Sequence, residues 1–101
     1  MAKSLHVEMV FFKGDEFLCR DSILIGDKRE ERTISGGGPQ SFCVSYVYGE
    51  PACPIFIRCF EGGKVVSRSA MSVGVHDSDD WEAISLADPF ELCFRCSVCG
   101  Q

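Results

Sequence analysis

The chain has 101 residues, 46% hydrophobic and 25% charged, which suits one ordinary globular domain; two separate cores would be too small to hold. The formal net charge is −5, and the main basic cluster (Lys28, Arg29, Arg32) is interrupted by Glu30 and Glu31, so direct nucleic-acid binding is disfavoured. No apolar run approaches the roughly 18 residues of a membrane-spanning helix, and the apolar start is broken by His6 and Glu8, unlike a signal-peptide core. The expectation is a cytoplasmic protein in a reducing compartment, without membrane attachment.

Residues 4–12 (SLHVEMVFF) and 17–25 (FLCRDSILI) read as strands joined at Gly14-Asp15. A two-residue loop pairs Lys13 with Glu16 and Phe12 with Phe17. Continued without interruption, that register sets Glu8 against Asp21, a repulsion that a bulge or a longer loop corrects. Residues 26–40 form the main irregular segment, charged at first and closing on Gly36-Gly37-Gly38-Pro39, with a short edge strand over 32–35. The glycines are not a phosphate loop, because no Gly-Lys-Ser/Thr follows them.

Residues 41–49 (SFCVSYVYG) alternate as a half-buried strand, with Phe42, Val44, Tyr46 and Tyr48 on one face. A stiff connection through Pro51 and Pro54 leads to PIFIRCF-EGGK-VVSRSA, the clearest hairpin signal in the chain. Its Gly62-Gly63 turn sets Glu61 against Lys64, Phe60 against Val65 and Cys59 against Val66. Residues 71–75 extend the strand, with Gly74 marking a bulge or its end. Asp77 or Ser78 then caps a short helix over 79–87, with Asp79, Asp80 and Glu82 at its positive end and Trp81, Ile84 and Leu86 near helical spacing. Pro89 ends it, and residues 92–98 form a last strand. The fold class is therefore mainly β, or α+β with one short helix: a small antiparallel β-sandwich or partly open barrel of six or seven strands.

Seven cysteines without a secretory signal argue for reduced thiols filling space. Cys93, Cys96 and Cys99 lie three apart at the C-terminus, and Cys96-Ser97-Val98-Cys99-Gly100 has the shape of a zinc knuckle. The remaining one or two ligands would have to come from Cys53, Cys59 or His76. An extended strand opposes the site, since it points Cys96 away from Cys93 and Cys99.

No Ser, Cys and His spacing picks out a nucleophile with its base, so the chain is read as a non-enzyme. The favoured class is an acidic protein-binding module, analogous in size and charge to inhibitors that phages and mobile elements direct at larger host complexes. Its contacts would be Asp77, Asp79, Asp80 and Glu82, suited to a basic surface on another protein, and the Lys28, Arg29 and Arg32 loop. The alternatives are a virion-type structural subunit or homo-oligomer built by strand pairing through 41–48 or the terminal strand, and a small zinc-stabilised interaction domain.

Overall fold

Strict alternation in the first strand sets the architecture. Leu5, Val7, Met9 and Phe11 are buried, and the residues between them face outward. The computed structural model describes residues 4–26, 29–49, 51–74 and 78–99, and of Ser78, Asp79 and Cys99 the backbone alone. Within these lie eight strands: β1 (Ser4–Lys13), β2 (Glu16–Ile25), β3 (Glu30–Ser35), β4 (Gln40–Tyr46), β5 (Ala52–Glu61), β6 (Lys64–Gly74), β7 (Ser78–Ala87) and β8 (Phe90–Cys99). They form two antiparallel four-stranded sheets, β2-β1-β8-β7 and β3-β4-β5-β6, a small β-sandwich. The order is that of an up-and-down barrel split at two seams, β2/β3 and β6/β7.

Both seams are closed by side chains. At the first, Arg32 pairs with Asp21 at 3.1 Å and its Nη1 donates to Ser22 O at 3.1 Å. The Tyr46 hydroxyl lies 2.9 Å from Leu24 O and 3.0 Å from Glu30 Oε2, and burial foremost, then Glu30, raises its pKa. At the second, the hydroxyls of Ser67 and Ser69 both donate to Leu86 O. The core between the sheets centres on Phe42, stacked on Phe11 at 4.1 Å and edge-on to Phe90 at 6.0 Å.

A bulge sets the register in each of the β1–β2 and β5–β6 hairpins. In the β5–β6 hairpin Gly62 and Gly63 both take positive φ, 62° and 81°, and Glu61 and Phe60 face Lys64 and Val65 as the sequence predicts. The ladder then shifts, so Cys59 faces Ser67 and not Val66. Without the shift Arg68 would lie opposite Ile57, which is fully buried. The bulge sends Arg68 outward and turns Ser67 and Ser69 toward the seam. β1–β2 does the same: Lys13–Glu16 and Phe12–Phe17 hold, then the ladder shifts, and Glu8 faces Ser22 instead of Asp21. That shift also brings Ile23 and Ile25 into the core.

Three expectations are corrected. The helix over 79–87 is strand β7, and there is no helix among the described residues. On a strand Ile84 and Leu86 share the inner face, while Trp81, three residues from Ile84, points to solvent; pairing with β8 overrides the helical spacing. The irregular segment 26–40 is shorter than expected, because Glu30–Ser35 is a strand and Gln40 already begins β4. The connection at 50–54 ends early: β5 starts at Ala52 and holds Pro54, just past the end of its ladder with β4, so no bond to β4 is lost there.

Candidate functional site

The outer face of β3-β4-β5-β6 is built in cross-strand rows. One row runs Glu31–Ser45–Phe56–Ala70, and the next Thr33–Cys43–Arg58–Arg68. The small Ser45 between a long glutamate and a bulky phenylalanine leaves a depression. It is an open groove of about 530 Å³ lined by Arg29, Glu30, Glu31, Ser45, Val47 and Phe56. Phe56 is 48% exposed although it stands mid-strand on a central strand. Arg58 reaches back across β4: its Nη2 lies 3.0 Å from Glu31 Oε2 and 3.1 Å from Cys43 Sγ, and its guanidinium is 5.9 Å from the Phe60 ring. Arg68 faces Arg58 directly and makes no ion pair among the described residues.

The predicted contact residues separate. Arg29 lines the groove, whereas Arg32 is held on Asp21 at the β2/β3 seam. Lys28 and Asp77 lie outside the described residues, as does His76, and of Asp79 only the backbone is described. Asp80 and Glu82 are exposed on β7, at the opposite edge of the sandwich from β3. Charge on an edge strand deters pairing with another sheet, which gives these carboxylates a structural role.

Strand pairing through 41–48 or the terminal strand is corrected. β4 is paired on both sides, by β3 and β5, and β8 by β1 and β7, so neither presents a free edge.

Cys93 and Cys96 stand on opposite faces of β8; the side chain of Cys99 is not described. Among the described residues no three His, Cys, Asp or Glu side chains are grouped to hold a metal ion. Cys43, Cys53, Cys59 and Cys96 are buried. Burial pushes the thiols of Cys59 and Cys96 up to about 11, which keeps them protonated and poorly nucleophilic at neutral pH.

The signal that sequence reasoning missed was local. Phe56 and Phe60 share the parity of Arg58, opposite to buried Ile55, Ile57 and Cys59, which marks them as outward-facing. No helix among the described residues is long and apolar enough to cross a membrane. Comparison of the chain with protein-family models, with curated proteins and with solved structures found no match.

Proposed function

We propose that the protein is a non-enzymatic protein-binding module, of the type in which a small acidic domain covers a surface on a larger complex. The observation that carries the reading is the groove around Phe56. A half-exposed aromatic ring beside Val47, rimmed by Arg29, Glu30 and Glu31, has the composition of an interface anchor: apolar centre, charged surround. The edge strands add support of a negative kind. β3 carries Glu30, Glu31 and Arg32, and β7 carries Asp79, Asp80 and Glu82, charges that deter open-ended strand addition. That favours a discrete partner over a structural lattice.

The test is affinity capture by the tagged full chain from a lysate of the organism that encodes it. Phe56→Ser is compared with Asp80→Arg, each shown to fold by circular dichroism. A specific partner lost with Phe56→Ser and retained with Asp80→Arg supports the groove. Loss with Asp80→Arg alone moves the contact to β7 and a basic partner surface. Capture of nothing specific by the wild-type chain sinks the reading.

A further inference from the structure

We infer that the outer face of β5 and β6 binds an extended acidic segment of a partner protein, one carrying an Asp or Glu flanked two residues away on each side by apolar residues. This rests on the protein-binding reading above and names the chemistry of the partner.

Three consecutive cross-strand rows define the face: Phe56 with Ala70, Arg58 with Arg68, Phe60 with Val65. Read along either strand the order is apolar, cationic, apolar. Successive outward residues on a strand are about 6.5–7 Å apart. An extended peptide presents alternate side chains with the same period, so one carboxylate meets the arginine row while its i−2 and i+2 neighbours meet the apolar rows.

In the middle row Arg58 has a counter-ion and Arg68 has none among the described residues. Arg58 and Arg68 are opposed in the ladder, and the Arg58 guanidinium turns away over β4. The carboxylate that neutralises Arg58 is Glu31, on β3, two strands away in the sheet. Arg68 has no ion pair among the described residues, and neither does Arg29 at the groove. A partner carboxylate beside Arg68 supplies the missing counter-ion through charge-assisted hydrogen bonds. The flanking rows leave apolar surface to cover: Phe56 is 48% exposed and Val66, the bulged residue, 47%. The groove beside Phe56 extends the site beyond the first apolar row.

The charge of the whole chain decides between an acidic peptide and a nucleic acid, which the arginines and phenylalanines alone would also fit. With a net charge of −5 the molecule repels a long polyanion, whereas a single carboxylate in a short apolar segment feels mainly the local arginines.

The experiment is an NMR titration of the isotope-labelled full chain with a synthetic peptide, Gly-Ser-Leu-Thr-Glu-Thr-Leu-Ser-Gly. Three comparison probes replace Glu by Lys, replace both Leu by Ser, or substitute a ten-residue oligothymidine. The expected result is saturable shifts confined to β5, β6 and the groove at peptide concentrations up to the order of 1 mM. Binding weakens about tenfold with Arg68→Glu or with Phe56→Ser, and with either altered peptide. Shifts that are absent, that are equal for the Lys peptide, or that survive Arg68→Glu overturn the inference, as does preference for the oligothymidine. If the peptide fails while Phe56→Ser still abolishes partner capture, the partner chemistry is wrong and the protein-binding reading stands. If the wild-type chain also captures nothing specific, the reading falls with it.

Discussion

The outer faces of the two sheets carry arginines and glutamates in different order. Across β2-β1-β8-β7 the side chains run Arg20, Glu8, Arg95, Trp81. Glu8 lies between the two cations, 3.3 Å from Arg20 and 2.9 Å from Arg95, and the Arg95 guanidinium stacks 4.8 Å over Trp81. Across β3-β4-β5-β6, Glu31 of the neighbouring row reaches Arg58 over Cys43, and Arg68 stands beyond, so the carboxylate is at one end and the cations are adjacent at the other. Each of these two sets holds two arginines and one glutamate. The first set alternates in sign and closes on itself, while the second leaves Arg68 without an ion pair among the described residues. Position within the row, not composition, separates a self-contained face from one able to take a ligand.

The comparison presumes that the two faces belong to one cooperative unit, and the largest effect tests that. Phe42 stands on β4 and stacks on Phe11 of β1, linking the sheets. Phe42→Ala should cost about 3–5 kcal/mol. Unfolding in urea is followed by Trp81 fluorescence on one sheet and by amide exchange of β5 on the other. The two signals should shift together. A midpoint that moves for β5 alone would mean that the faces unfold separately.

The next effect lies at the β6/β7 seam, which fixes the two faces relative to each other. Ser67→Ala with Ser69→Ala removes both hydroxyls from the Leu86 carbonyl. Stability should fall by about 1–3 kcal/mol if that carbonyl is left without a partner. Unchanged urea denaturation would show that water replaces the serines.

On the alternating face, Arg95→Ala should destabilise. Loss of the Trp81 stack alone is worth about 0.5–1 kcal/mol, and the loss of Glu8's nearest cation adds to it. The same contact has a pH signature. The hydrogen bond from Arg95 foremost holds the Glu8 carboxyl below its ordinary 4.5. A depressed folded value means that the unfolded chain binds the extra proton. The contribution is therefore full above about pH 4.5 and lost as pH falls through the folded value. Glu8→Gln should flatten that acid limb of the stability profile and leave its slope above neutrality unchanged. An acid limb identical to wild type would remove Glu8 from the account. Glu61, held down by Lys13 at 3.1 Å, contributes in the same direction and provides the residual slope.

Much of this was legible from alternation and turn chemistry. Seven of the eight strands were expected, β3 and β5 with later starts than they have, and the Glu8–Asp21 repulsion implied in an unbroken ladder pointed to the first bulge. The second bulge had a signal as well: Arg68 opposite Ile57 is untenable in a core, yet it becomes visible only when the ladder is carried to the fifth residue beyond the turn. β7 was misread because Asp79, Asp80 and Glu82 suit a helix start as well as they suit an edge strand. Which of the two they occupy depends on β8, contributed by residues further along the chain. The groove was hidden for a similar reason: Glu31, Ser45 and Phe56 become neighbours only through two ladders.

The smallest effect is the most discriminating, because its sign differs between the faces. Arg68 is exposed and faces Arg58 without a counter-ion among the described residues, so its removal should help the folded state. Arg68→Thr replaces it with a β-branched residue that suits a strand, and stability should rise by about 0.5 kcal/mol at low salt. Arg68→Lys keeps the charge and should leave stability unchanged, which separates repulsion from strand propensity. Raising the salt concentration should erase the gain, since exposed charges are screened over about 10 Å at 0.1 M. A loss of stability in Arg68→Thr, comparable to that of Arg95→Ala, would mean that Arg68 is already compensated. The β5–β6 face would then be as complete as the alternating one, and its claim to an acidic partner would lose its electrostatic basis.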